Sequence, residues 1–183
     1  MAPTAPDLAR WPAAPVAGRN LRPGTFADQL GPGPTLVVFP RHLGCLFTAD
    51  ALRGLRATAA APGFPRVVVV HQGTPSDAVR RLAALWPDAP TVADPDGALH
   101  RAAGVERGSP AQVLGPRAAV CALRALRAGA RPGRPVGDTR TLPVALLVVD
   151  GRVVWEHRGR HSGDHPDWGR VPRTAGGAAV PPH

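Results

Sequence analysis

Of the two cysteines in this sequence, Cys45 stands where a thiol can do chemistry. Thr35 to Phe39 is a short β-branched and aromatic run that breaks at Pro40; the chain turns at Gly44, and Cys45 comes just before a helical pattern that begins at Leu46. A thiol at a helix N-terminus faces unsatisfied amide groups and the positive end of the helix dipole, and both favour the thiolate. Arg41 and His42 add positive potential to the same loop. The chemistry is nucleophilic: attack on a peroxide oxygen or on a disulfide. The plain alternative is a small buried packing residue, because free cysteine is among the most buried residue types.

Cys121 sits in a different context, a helical pattern from Ala118 to Ala128 ended by Gly129 and Pro132. Val120, Leu123 and Leu126 form its apolar stripe and predict the core face, while at about 100° per residue Cys121 falls on nearly the opposite side, among Ala118, Ala122 and Ala125. It is a possible resolving thiol for Cys45, provided the two Cα atoms approach within about 7 Å; otherwise it packs as an alanine would. His157, His161 and His165 recur every fourth residue, which on a helix is a metal-ligand spacing. Gly159, Ser162 and Gly163 break such a helix, so no metal site and no cofactor are expected.

The elements that must position these residues follow a simple order. After the Cys45 turn, Thr48, Leu52, Leu55 and Ala59 recur at helical spacing up to Pro62-Gly63. Val67 to Val70 reads as a second, fully apolar strand. Thr74-Pro75-Ser76-Asp77 then supplies an N-cap, a proline at the first helical position and an acidic residue three on from the cap. Val79, Leu82 and Trp86 are predicted to line one face of that helix, which ends before Pro87. Thr91 to Ala93 makes a third strand, and Asp94-Pro95-Asp96-Gly97 leads into a brief helix. Strands alternating with helices in this way predict a parallel sheet covered by helices. Val144 to Val149, Asp150-Gly151 and Arg152 to His157 then read as a β-hairpin, so the sheet finishes antiparallel.

A chain of 183 residues that is 44% hydrophobic supports one domain with its own core. Residues 1–19, rich in proline and alanine, are expected to form a flexible or loosely docked arm, 20–171 the domain, and 172–183 a disordered tail. The net charge is +9, and every one of the 22 basic residues is arginine, with no lysine, isoleucine or tyrosine in the chain, a skew that points to codon bias. The arginines are spread from Arg10 to Arg173 without aromatic interleaving or a nucleic-acid-binding signature, so a nucleic-acid partner is not expected. Met1 to Pro15 carries Asp7, Arg10 and several prolines in place of a continuous apolar stretch, so no signal peptide is expected. No segment reaches the roughly 18 apolar residues of a membrane span, so no membrane partner is expected either. Two cysteines are too few for a disulfide framework, which predicts a cytoplasmic protein with reduced thiols.

The chain resembles the peroxiredoxin-like branch of the AhpC/TSA antioxidant proteins, within the thioredoxin-fold superfamily. The resemblance is carried by Phe39-Pro40-Arg41-His42-Leu43-Gly44-Cys45 and the helix after it. It continues through Val70-His71-Gln72-Gly73-Thr74, Asp94-Pro95-Asp96-Gly97, Gln112-Val113-Leu114-Gly115-Pro116-Arg117 and Gly137-Asp138 to Asp164-His165-Pro166. It implies a thioredoxin-like three-layer α/β/α sandwich whose mixed sheet ends in a β-hairpin. It also implies a thiol-disulfide oxidoreductase that uses Cys45 as its redox thiol, with a peroxide or disulfide substrate and an external thiol reductant. Thr48, Arg41 and Pro143 are the other site residues it implies. Pro143 stands where thioredoxin-like folds place a cis proline beside the active cysteine, and Thr48 where many relatives carry a second cysteine. His42 occupies the position three before the cysteine that typical peroxiredoxins give to threonine, and Pro40 is five before it where they have proline at seven. The Thr48 replacement also suits a second reading, a non-catalytic binding module with a degenerate active loop.

Overall fold

In the computed structural model, which describes residues 11–175 and 178–179, four β-strands alternate with helices before a hairpin closes the sheet. The elements are β1 (Ala17–Arg19), α1 (Phe26–Leu30), β2 (Thr35–Phe39), α2 (Leu46–Ala59), β3 (Arg66–His71), α3 (Pro75–Arg81), β4 (Thr91–Ala93), α4 (Ala98–Ala102), α5 (Pro110–Leu114), α6 (Pro116–Arg127), β5 (Val144–Val149) and β6 (Arg152–Arg158). A short 3₁₀ turn covers Trp168–Arg170, and a small ribbon pairs Thr174–Ala175 with Ala178–Ala179.

The six-stranded sheet runs β1-β4-β3-β2-β5-β6. Strands β2, β3 and β4 are parallel to one another, while β5, β6 and β1 join antiparallel to their neighbours. The continuous apolarity of the central strands is explained by burial on both faces. Leu36 and Val38 of β2, Val67 and Val69 of β3 and Ala145 and Leu147 of β5 point to one side, where they meet Ala51, Leu52 and Leu55 of α2 and Leu82. The alternate residues Val37, Phe39, Val68, Val70, Val144 and Leu146 point to the other, against Trp11, Phe26, Leu30 and Leu99. Two cores on either side of one sheet make the expected three-layer α/β/α sandwich. Asp150 (φ 47°) and Gly151 (φ 76°) form the hairpin turn, both in the left-handed region that this tight turn requires.

Four expectations change. Residues 11–19, assigned to a flexible or loosely docked arm, are firmly docked: Trp11 is buried with its ring centroid 4.3 Å from that of Phe26, and β1 pairs with β4. Residues 1–10, 176–177 and 180–183 of the expected arm and tail lie outside the described residues. On α3, Val79 is exposed; Ala78 carries the buried face and Leu82 closes the helix end.

The third change concerns α6, which is turned over relative to its apolar stripe. Ala118 and Ala125 are buried and Cys121 is half-buried, whereas Val120, Leu123 and Leu126 face solvent. Close approach is the physical reason. The small face of α6 packs on α2 around Phe47, and the chain at Gly163 presses so near that a Cβ there would stand 2.4 Å from that of Cys121. A Val/Leu face would not fit that gap. The fourth change is Pro143: none of the described peptide bonds is cis, so the Leu142–Pro143 bond is trans.

Candidate active site

The loop after β2 is held from both sides. Leu43 exchanges two backbone hydrogen bonds with Val136, each 2.9 Å, and the Gly133 amide donates to the Gly44 carbonyl at 2.8 Å. Gly44 has φ 86°, and a Cβ at that position would lie 2.3 Å from the Arg134 carbonyl oxygen. Left-handed backbone and close approach together leave room for glycine only. The loop therefore delivers Cys45 to the N-cap position of α2, with a side chain that caps no helix amide.

Arg41 turns back over that position. Its Nη1 donates to Cys45 Sγ at 3.0 Å, its Nε donates to the Thr141 carbonyl at 3.0 Å, and its Nη2 donates to the Thr139 carbonyl. The guanidinium also lies 5.8 Å from the centre of the Phe47 ring. A buried arginine with these contacts is a fixed positive charge beside the sulfur, since guanidinium does not lose its proton in proteins. His42 is buried too, with Nδ1 3.1 Å from the Leu43 carbonyl. Burial pushes the Cys45 thiol up, but the His42 hydrogen bond, the Arg41 charge, the Thr48 amide and the His42 charge outweigh it. The thiol is held below its ordinary value.

Thr48 is buried beside the loop, and its hydroxyl donates to the His42 carbonyl at 3.3 Å. It therefore braces the loop that carries Cys45.

A cavity of about 500 Å³ opens over Cys45, lined by Leu46, Phe47, Val113, Leu114 and Pro135 with Arg41 and Arg140 at its polar side. Cys121 is not in it. That thiol borders a second cavity of about 430 Å³ with His165 and Trp168, and Phe47 is a wall of both. Cys45 and Cys121 are both free thiols. Pro143 is likewise outside the Cys45 cavity, with its carbonyl accepting the Gly159 amide at 2.8 Å. The segment that reaches the site is Thr139–Thr141, through Arg41.

Sequence reasoning missed how that segment is held. Gln72 donates from Nε2 to Thr141 Oγ1 at 3.1 Å and accepts the Asp138 amide, and Arg140 donates from Nε to the Gly108 carbonyl at 2.9 Å. Gln72 lies in one of the motifs that carry the resemblance, but an uncharged side chain offers no electrostatic signal of its role. His165, one of the three histidines at every fourth position, borders the Cys121 cavity. Burial, with the positive charges of His157, Arg41 and His161 opposing Asp164, pushes its imidazole down to about 4. Among the described residues no group of three or more His, Cys, Asp or Glu side chains could hold a metal ion.

A model of the family described as AhpC/TSA antioxidant enzyme matches residues 51–161, more than half of the chain. The chain belongs to the AhpC/TSA antioxidant enzyme family. It is a peroxiredoxin-like antioxidant oxidoreductase, and the matched segment begins just after Cys45, so the body of the domain carries the assignment. No curated protein matches the sequence. Among solved structures, the AhpC/TSA protein is similar to the bacterioferritin comigratory protein of Xanthomonas campestris, with 17% identity, 80% of each chain covered and a TM-score of 0.54. It is similar to the peroxidoxin BcpB of Mycobacterium tuberculosis, with 15% identity over 88% of this chain and 90% of that one and a TM-score of 0.55. It is also similar to reduced Prx3 of Vibrio vulnificus, solved in complex with hydrogen peroxide, with 13% identity, 86% and 85% coverage and a TM-score of 0.56. At these identities the likeness is one of fold, and it bears out the thioredoxin-like architecture.

Proposed function

We propose that Cys45 is the redox thiol of this AhpC/TSA protein and that its substrates are hydroperoxides. The observation that carries the reading is the Arg41 guanidinium 3.0 Å from Cys45 Sγ, at the N-terminus of α2 and the floor of a cavity. The thiolate attacks one peroxide oxygen; an S–O bond forms, the O–O bond breaks, and the departing alkoxide leaves as an alcohol after taking a proton. Cys45 becomes a sulfenic acid. An external thiol then forms a mixed disulfide with release of water, and a second thiol frees Cys45 and leaves as the oxidised disulfide. Arg41 holds the thiolate before attack and sits within reach of the peroxide oxygens that acquire charge as the bond breaks.

The aliphatic and aromatic lining supports organic hydroperoxides as substrates alongside hydrogen peroxide. Cys121 borders a different cavity, which supports an external reductant over internal resolution. Two free thiols support a reducing compartment, the cytoplasm. The test is the pH dependence of Cys45 alkylation, measured together with thiol-dependent consumption of hydroperoxide by the wild type and by Cys45→Ser. The expected result is alkylation that rises below the ordinary thiol value of about 8.5 and no turnover in the variant. Ordinary thiol titration with turnover retained in Cys45→Ser refutes the reading.

A further inference from the structure

The outward face of α6 is apolar, and the core does not account for it. Val120 is 53% exposed, Leu123 49% and Leu126 40%, while Leu114, one residue before the N-cap of α6, is 82% exposed. At about 100° per residue, Val120, Leu123 and Leu126 span an arc of about 120° with Arg127 between Val120 and Leu123, on the side away from the buried Ala118 and Ala125. The apolar side of the helix therefore points away from the protein.

Charge narrows what covers it. Arg117, Arg124, Arg127, Arg131 and Arg134 are exposed, and no acidic residue occurs between Gly108 and Gly137. None of the five is ion-paired among the described residues. A second copy meeting this face about a two-fold axis would set six arginines, Arg117, Arg124 and Arg127 of each copy, against one another. Aliphatic residues at the centre, with no aromatic ring, do not suit stacked bases. An outward apolar stripe flanked by unpaired arginines is the pattern of a helix that lies in the headgroup region of an anionic bilayer.

We propose that the α5–α6 face docks this protein on anionic lipid surfaces, with Val120, Leu123 and Leu126 entering the interface and the arginines meeting lipid phosphates. The expectation of no membrane partner rested on the absence of a spanning segment, and a helix lying flat needs none. Leu114, which ends α5 just before α6, also lines the Cys45 cavity. That the docked enzyme then meets lipid-borne hydroperoxides rests on the Cys45 reading; the docking itself does not.

The test is sedimentation of the full chain with vesicles of phosphatidylcholine alone and of phosphatidylcholine with phosphatidylglycerol. Binding to the anionic vesicles and not to the neutral ones is expected. Val120→Ser with Leu123→Ser should weaken it about tenfold, and Arg124→Gln about fivefold. Both variants should consume soluble hydrogen peroxide as the wild type does, and Cys45→Ser should bind vesicles unchanged, which separates this proposal from the redox reading. Absence of anionic-vesicle binding overturns it. So does binding that survives the Val120/Leu123 double change, which marks a diffuse charge effect, and so does a dimer abolished by that change in place of vesicle binding.

Discussion

Replacing Arg41 with methionine removes the charge and every donor while keeping a side chain of comparable length. The structure gives three interactions to lose: Nη1 to Cys45 Sγ at 3.0 Å, Nε to the Thr141 carbonyl at 3.0 Å, and Nη2 to the Thr139 carbonyl. A hydrogen bond to a charged group contributes roughly 1.5–3 kcal/mol. If the bond to sulfur is worth that much to the thiolate during attack, kcat/KM for hydroperoxide falls about 10- to 150-fold, at 1.36 kcal/mol per tenfold. Each carbonyl left unpaired costs about 1–3 kcal/mol, so the fold loses about 2–4 kcal/mol once partial access to water is allowed for. The alkylation profile of Cys45 moves to higher pH, because the Arg41 charge is one of the groups holding the thiol down. The assay pairs stopped-flow peroxide consumption with urea unfolding and uses Arg41→Lys as the control. Lysine keeps the charge and loses the fork, so it recovers part of the alkylation shift and little of the stability. A folded Arg41→Met protein with peroxide kinetics within threefold of wild type, and an unmoved alkylation profile, refutes the role given to Arg41.

Three further outcomes follow from the same geometry. Gly44→Ala places a Cβ against the Arg134 carbonyl in a left-handed conformation, and should cost about 2–4 kcal/mol by chemical denaturation with a matching loss of turnover as the loop moves. Cys121→Ser should leave peroxide turnover with an external thiol within twofold of wild type; a disulfide between Cys45 and Cys121 trapped after one equivalent of peroxide, seen by mass spectrometry, argues the other way. His71 and His165 are both pushed down to about 4, chiefly by burial. The unfolded chain takes up protons on them at higher pH than the folded one, so their contribution is complete above about 6.5 and is lost as pH falls towards 4, by up to about 3 kcal/mol each. His71, buried with both ring nitrogens unpartnered, is the cleaner case, and His71→Leu should flatten part of the acid limb in unfolding measurements between those pH values.

The meeting of Arg41 with Cys45 was legible because its signals are local: a strand broken by Pro40, a turn glycine, a cysteine and a basic neighbour lie within a few positions of one another. The layers were legible for the same reason, since β2, β3 and β5 bury both faces and show it as unbroken apolar runs. What failed depends on distance and on fit. Thr139 and Thr141 present backbone carbonyls to Arg41, and a carbonyl has no residue type to announce it. The face of α6 was misjudged because hydrophobicity says which side chains prefer burial, whereas the gap beside Phe47 and Gly163 admits only small ones. Trp11 was hidden by its prolines, whose composition suggests a loose arm although a single indole is enough to pin the segment down.

The two carbonyls that hold Arg41 lie 98 and 100 residues further along the chain. A protein made from its N-terminus completes β2, α2 and β3 well before those residues exist, because local units form as they emerge while contacts of long separation wait. Through that interval Arg41 lacks the acceptors that aim it, and Cys45 is a thiol like any other. On the proposed reading of Cys45, the Arg41 contact that would activate it forms only when the last third of the chain arrives, so a growing or truncated chain would carry an unactivated cysteine.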